Sequence, residues 1–177
     1  MTGVRPVTLA DAGGISEIYD PIVRDTAISF ELAPPGPEVI RGRIERATHP
    51  WLVLEVDGEV AGYAYSGPFK DRPAYRWSVE TGIYLRPELR GKGMGKLLYT
   101  TLIEHLIGAG FANAYAGVAR PNPGSEALHV SMGFRPIGVF PRAGFKLGEW
   151  HDVGWWHRPL HQTPVPEEPR LSDYPTH

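Results

Sequence analysis

The 177-residue chain contains no cysteine, which excludes disulfides, thiolate metal sites and a cysteine nucleophile together. It has no run approaching the ~18 consecutive apolar residues of a membrane span, and Met1 to Ala10 carries no apolar signal core, so the expected compartment is the cytoplasm. A charge excess is missing too. Eighteen Lys+Arg stand against twenty Asp+Glu, a net charge of -2, so the chain as a whole is not drawn to nucleic acid or anionic lipid. Any anion it binds must be held by a local cluster. There is no internal repeat, and His151 and His157 lack the i, i+4 spacing of a helical zinc pair, so no metal is expected.

What is present is an ordinary globular composition, 42% hydrophobic and 21% charged, in a length that suits one domain. Twenty-one Gly and eighteen Pro predict short elements broken by turns. Val4 to Val7 reads as a strand. Thr8 and Asp11 have capping-box spacing ahead of a first helix carrying Ile15, Ile18, Tyr19 and Ile22. After Pro34, Pro35 and Pro37, a second helix is expected over Val39 to Ala47. Trp51 to Val56 and Glu59 to Ser66, separated by Asp57-Gly58, predict a β-hairpin. Ser78 to Leu85 reads as a strand, and Met94, Leu97, Leu98, Leu102, Ile103 and Leu106 form the apolar face of a helix stopping near Gly108 and Gly110. Asn113 to Val118 is a strand, Ser125 to Met132 a short helix, and Arg135 to Phe140 and Asp152 to His157 the last strands. The order βααβββαβαββ implies a mixed α/β fold with a β-α-β crossover between Ser78 and Val118. Residues 1–160 form the domain, and 161–177 read as a Pro-rich extended tail.

The stretch that carries chemistry is Leu85 to Leu97, LRPELRGKGMGKL. Three glycines in five residues allow a tight turn with bare amides, and the helix that follows adds the partial positive charge of its N-terminus. Arg86, Arg90, Lys92 and Lys96 against Glu88 give a local positive cluster. A phosphate-binding loop follows from this. It is neither a Walker A loop, because Leu97 follows Lys96 where Ser or Thr is required, nor a dinucleotide loop, because Lys96 stands where a glycine is needed.

Arg90-x-x-Gly93-x-Gly95 resembles the coenzyme A pyrophosphate loop of the GNAT N-acetyltransferase superfamily. Asn122, Ser125, Leu128 and Met132-Gly133-Phe134 are similar to its second cofactor segment. Pro50 to Trp77 and Arg142 to Trp156 resemble the phosphinothricin and methionine sulfoximine acetyltransferase subfamily. The resemblance implies the acyl-CoA N-acyltransferase fold, a mostly antiparallel mixed sheet with helices on both faces, acetyl-CoA as co-substrate, a homodimer, and N-acetylation of a small acidic amino-acid analogue. It makes Glu80 the catalytic carboxylate and His129 its partner across the cleft. It assigns the thioester and pantetheine to the strand backbone at Ile83, Tyr84 and Leu85. The pyrophosphate goes to Arg90, Gly91, Lys92, Gly93, Met94, Gly95 and Lys96, with Asn122 and Ser125 beside it. Lys70, Arg72 and Tyr75 match substrate positions, with Phe30 and Glu31 on the facing wall.

The residue types alone leave alternatives open. By alternation Glu80 is either a solvated outer-face residue or a half-buried base, His129 is either packed or chemical, and Lys70 and Arg72 suit a solvated loop as well as a substrate wall. Other acceptors, a peptide or polyamine, keep the same CoA loop, although Lys70, Arg72 and Arg76 would repel a polycation. A CoA-binding sensor or a nucleic-acid module is the non-enzymatic alternative. Acyl transfer to an amine needs a base, oxyanion donors and a proton for the leaving thiolate. Without cysteine, direct attack on acetyl-CoA is expected over an acyl-enzyme.

Overall fold

The structure, a computed structural model, describes residues 1–161 and 167–170. Strand β1 (Thr2–Pro6) leads through a short 3-10 turn to helices α1 (Ala12–Asp25) and α2 (Gly36–Glu45), then to β2 (Trp51–Val56), β3 (Glu59–Pro68) and β4 (Ser78–Leu85). Helix α3 (Met94–Ala109), β5 (Asn113–Ala119), α4 (Pro123–Ser131), β6 (Arg135–Lys146) and β7 (Glu149–Pro159) complete the order. It is the order the sequence predicts. The strands make one sheet, β1-β2-β3-β4-β5-β7-β6, in which β4 and β5 are the parallel pair.

Local chemistry explains the main elements. The backbone amide of Thr8 donates to Asp11 Oδ2 at 2.7 Å, closing the turn that starts α1. Asp57 and Gly58 both take positive φ, 51° and 87°, the twist a two-residue hairpin loop needs. Gly110 ends α3 at φ 92°, a conformation that glycine adopts without penalty. Alternation along β2 splits the core into two layers. Leu52 and Leu54 pack with Leu98, Leu102 and Leu106 of α3, whereas Val53 packs with Ile15 and Val23 of α1 and Ile40 of α2. Helices therefore cover both faces of the sheet. Among the described residues no helix is long and apolar enough to cross a membrane.

Several bounds shift slightly, with β1 at Thr2–Pro6 and not Val4 to Val7, β3 running on to Pro68, β5 to Ala119, and α4 spanning Pro123–Ser131. Two differences are larger. Helix α2 starts at Gly36 and ends at Glu45, earlier than the predicted Val39 to Ala47. Strands β6 and β7 run well past Phe140 and begin before Asp152, meeting at Leu147-Gly148, with φ 54° and 83°. Register shifts at Pro136/Gly138 and Phe140/Gly144 interrupt the side-chain alternation of β6, which hides its length from a period-two reading. The far end of this hairpin is tied to the loop between α1 and α2. The buried Lys146 ammonium donates to the carbonyls of Val23 and Ser29, each at 2.6 Å. The Phe30 ring lies so close to Gly144 that a Cβ there would sit 2.5 Å from it. Of the expected tail, residues 162–166 and 171–177 lie outside the described residues. Residues 167–170 lie against the body, where the Arg170 amide donates to the Ala109 carbonyl at 2.8 Å.

One feature of the sheet positions the chemistry. Strands β4 and β5 pair only at Ser78↔Asn113, Val79↔Ala114 and Glu80↔Tyr115. Beyond that point β4 stays with β3 as far as Leu85, and β5 stays with β7 as far as Ala119. The sheet splits there.

Candidate active site

The mouth of the split is a cradle built by backbone. Gly91 and Gly93 take φ of 72° and 80°, a region costly for side chains with a Cβ. Gly93 caps α3, whose first-turn amides lack intrahelical acceptors and point out of the helix end. Gly95 lets the helix approach the sheet, since a Cβ there would stand 3.0 Å from Leu85 Cδ1 and 3.4 Å from Leu128 Cδ2. A cavity of about 520 Å³ opens over this turn. Ile83, Tyr84 and Leu85 of β4 line one wall, and Arg90, Gly91, Gly93, Gly95 and Lys96 line another. Asn122 and Ser125 line it at the start of α4, where Asn122 Oδ1 accepts from the Ser125 amide at 3.2 Å. Lys92 and Met94 belong to the turn and are not among the lining residues. Bare amides, a helix N-terminus and the cations of Arg90 and Lys96 are a combination that suits an anionic group such as a pyrophosphate.

Arg86 does not join that cluster. Its guanidinium lies 2.9 Å from Glu59 and 3.7 Å from Glu17, a pairing across strands that a local charge count does not register. Arg90, Lys92 and Lys96 carry the positive charge of the loop.

A smaller cavity of about 50 Å³ continues into the split, lined by Thr81, Gly82, Gly117, Val118 and His129. It shares Ile28, Ile83, Tyr84, Asn122 and Ser125 with the cradle cavity, so one cleft runs from the phosphate turn to the end of the β4–β5 ladder. Glu80 sits at that end, half-buried. Burial pushes its carboxyl pKa up, against the pull of the Lys70 ammonium. No hydrogen bond among the described residues reaches its carboxylate.

Consecutive strand residues face opposite sides of a sheet. Thr81 points to the α3 side, where its hydroxyl lies 2.7 Å from the Tyr99 hydroxyl. That hydroxyl is 3.2 Å from His129 Nε2. His129 Nδ1 lies 2.8 Å from the Ser125 carbonyl, which can only accept, so Nδ1 carries the hydrogen and Nε2 is left to accept from Tyr99. Burial holds the imidazole below its ordinary pKa. Glu80 and His129 thus lie on opposite faces of β4.

On the Glu80 side the structure gathers an aromatic wall. Phe69 stacks on Tyr115 at 4.2 Å and meets the edge of Tyr75 at 5.9 Å, with the Lys70 ammonium 5.0 Å above the Phe69 ring. Lys70, Tyr75 and Glu80 come together around these rings. Arg72 opens the short 3-10 turn holding Tyr75, accepting the Tyr75 amide at 2.9 Å. Glu31 is otherwise engaged. Arg43 grips its carboxylate at 2.8 and 2.9 Å and the Tyr19 hydroxyl donates at 2.7 Å, which holds it below the usual carboxylate range. Phe30 packs on Gly144 and near His151. Arg76 pairs with Glu168. Sequence reasoning missed Phe69, Tyr115 and Tyr99. A tyrosine on the buried face of α3 was a signal, because its hydroxyl needs a partner there. Among the described residues no group of three His, Asp or Glu side chains could hold a metal ion.

Comparisons with known proteins point to one family. The model of the acetyltransferase (GNAT) family matches residues 17–134. The chain is 38% identical over 168 residues to the phosphinothricin N-acetyltransferase of Streptomyces viridochromogenes, covering 94% of this chain and 91% of that one. It is 30% identical over 167 residues to the L-methionine sulfoximine/L-methionine sulfone acetyltransferase of Salmonella typhimurium, covering 93% and 98%. The crystal structure of a GNAT superfamily phosphinothricin acetyltransferase from Sinorhizobium meliloti in complex with acetyl-CoA superposes with a TM-score of 0.88 at 36% identity, covering 99% of this chain and 96% of that one.

Proposed function

From the premise that this chain belongs to the acetyltransferase (GNAT) family, we propose that it moves the acetyl group of acetyl-CoA onto the α-amine of a small acidic amino-acid analogue, phosphinothricin or methionine sulfoximine. The observation that carries the proposal is the split sheet. A cradle of bare amides lies at its mouth, and at its end lies a half-buried carboxylate that no hydrogen bond among the described residues reaches. Acetyl-CoA supplies the activated acyl group, its pyrophosphate held by the Gly91 to Lys96 turn and Arg90, with Asn122 and Ser125 beside the chain. Glu80 takes the proton of the substrate ammonium, a task that its half-buried position and upward-shifted pKa suit. Lys70 and Arg72 draw the acidic end of the acceptor, and Tyr75, at the edge of the Phe69 ring, flanks it. Phe30 stands on the facing wall, whereas Glu31 shapes that wall through Arg43. No residue type for an acyl-enzyme through sulfur is present, so attack is direct.

Residues 1–160 form the catalytic domain and 161–177 its tail. Acetylation removes the charge of the amine, so the enzyme detoxifies its substrate in the cytoplasm and confers resistance to herbicides of that class. The exposed Phe145 and Trp150, which pack edge to face at 5.3 Å, lie on the β6–β7 hairpin and support a two-fold homodimer through that hairpin. Neither nucleic acid nor membrane is a partner, and no metal takes part. Thiol release from acetyl-CoA, screened against amino-acid analogues, polyamines and peptides, tests the assignment. It predicts turnover with the acidic analogues and none with polyamines.

A further inference from the structure

Thr81, Tyr99 and His129 form a chain of hydrogen-bonding groups whose hydrogens can be counted. The Thr81 hydroxyl lies 2.7 Å from the Tyr99 hydroxyl and 3.1 Å from the Tyr115 carbonyl, and the Tyr99 hydroxyl lies 3.2 Å from His129 Nε2. Two hydroxyl hydrogens serve three contacts. With a neutral imidazole one of the three contacts must go without a hydrogen: when Tyr99 donates to Nε2 and Thr81 donates to Tyr99, the Thr81 hydrogen is turned away from the Tyr115 carbonyl. With one more proton every contact is filled: Nε2 donates to Tyr99, Tyr99 donates to Thr81, and Thr81 donates to the Tyr115 carbonyl. The carbonyl is a spare acceptor that comes into use when the histidine is charged. It stands at the last rung of the β4–β5 ladder. Thr81 lines the cleft, whereas Tyr99 is fully buried.

We propose that this chain is a reversible proton store for the acetyl transfer, with Thr81 as its contact to the reacting atoms and Tyr99 as a positioning residue between Thr81 and His129. The inference rests on the acetyltransferase reading above. As the new C–N bond forms and the C–S bond breaks, the amine nitrogen must lose two protons and the sulfur must gain one. Glu80, on the other face of β4, takes the first proton and passes it to water. The second passes from nitrogen to Thr81 Oγ1, the Thr81 hydrogen moves to Tyr99, and the Tyr99 hydrogen moves to His129 Nε2. The same steps in reverse deliver it to the departing sulfur. The chain ends each turnover neutral, with one proton released to water. A histidine that borders the cleft but has both nitrogens occupied thereby serves the reaction through Thr81.

The charged and titratable groups around this chain are few. Arg158 of β7 acts on Tyr99, Tyr65 of β3 acts more weakly, and Phe134 and Trp156 pack on the imidazole. Histidine NMR titration therefore reads the chain directly, with the His129 signal identified by its loss in His129→Gln. A hydrogen bond to an imidazolium is roughly twice as strong as one to the neutral ring. If Tyr99 accepts from the charged ring, Tyr99→Phe lowers the pKa of His129, by about half a pH unit or more. Thr81→Val lowers it as well, and Thr81→Ser restores it. If Tyr99 merely donates to the neutral ring, Tyr99→Phe raises the pKa and Thr81→Val leaves it alone, which overturns the proposal. In turnover, Tyr99→Phe and Thr81→Val should each lower kcat about tenfold or more, with KM for acetyl-CoA and for the acceptor changed less than about twofold. Parent kcat in either variant, or a loss in Thr81→Ser equal to that in Thr81→Val, also overturns it. Should the parent acetylate no amine at all, the functional assignment fails, and the titration alone decides the proton store.

Discussion

Gly93→Ala separates the two jobs of the phosphate turn, and Gly58→Ala is its matched control. Both glycines take positive φ, 80° and 87°, and at both an added Cβ meets nothing within 4 Å. The left-handed backbone costs an alanine ~1–2 kcal/mol at either position, which in a chain of this length lowers Tm by about 2–8 °C. Only Gly93 lies in the cradle. There the new methyl stands where a pyrophosphate must approach the amides, and losing one charge-assisted hydrogen bond of ~1.5–3 kcal/mol weakens CoA binding about tenfold or more. Calorimetric titration with CoA and a thermal melt measure both quantities. The expected result is an equal drop in Tm for the two variants and a loss of affinity in Gly93→Ala alone. Unchanged CoA affinity in Gly93→Ala would refute the placement of the pyrophosphate, and an equal affinity loss in Gly58→Ala would trace the effect to general destabilisation.

Trp150→Asp puts a charge on the exposed aromatic face of the hairpin, and light scattering should move from twice the 19.6 kDa chain mass to the single chain; a parent that is already monomeric contradicts the dimer. His49, His129 and His157 all have pKa values lowered by burial. Between those values and the ~6.5 of an unfolded histidine, the unfolded chain binds more protons, so stability rises with pH through that window and is lost as pH falls below it. Glu80, whose pKa is raised, works in the opposite sense. Tm should therefore fall as pH drops below the ~6.5 of an unfolded histidine, and Glu80→Gln removes the opposing contribution; a flat profile in both contradicts the histidine placements.

Elements with strong local chemistry were legible in the sequence. Asp57-Gly58 is a turn by composition and by φ, and β4 has the predicted bounds. Leu147-Gly148 makes a turn of the same hand with a leucine in the first position, which no composition rule marks, and so the β6–β7 hairpin was read too short. In the site, Gly91, Gly93 and Gly95 declared the cradle because each has a backbone reason to be glycine. Arg86 was miscounted for the opposite reason. Its ion pair with Glu59 joins elements separated in sequence, and a local charge count treats it as free. The face of β4 on which each side chain falls follows from alternation, but that His129 joins Thr81 and not Glu80 depends on how α3 and α4 pack, which no local pattern encodes.

On the proposed function, Glu80, at the end of the split sheet, takes a proton from an acidic amino-acid analogue as acetyl-CoA acetylates it. Parent and Glu80→Gln, incubated side by side with acetyl-CoA and phosphinothricin or methionine sulfoximine and assayed by mass spectrometry for the N-acetyl product, test it most directly. The parent should form product at a rate that rises with pH as Glu80 ionises. The variant, which binds CoA equally well, should be slower by about 100-fold or more and lose that dependence. Product formed by Glu80→Gln at the parent rate across the pH range would contradict the account.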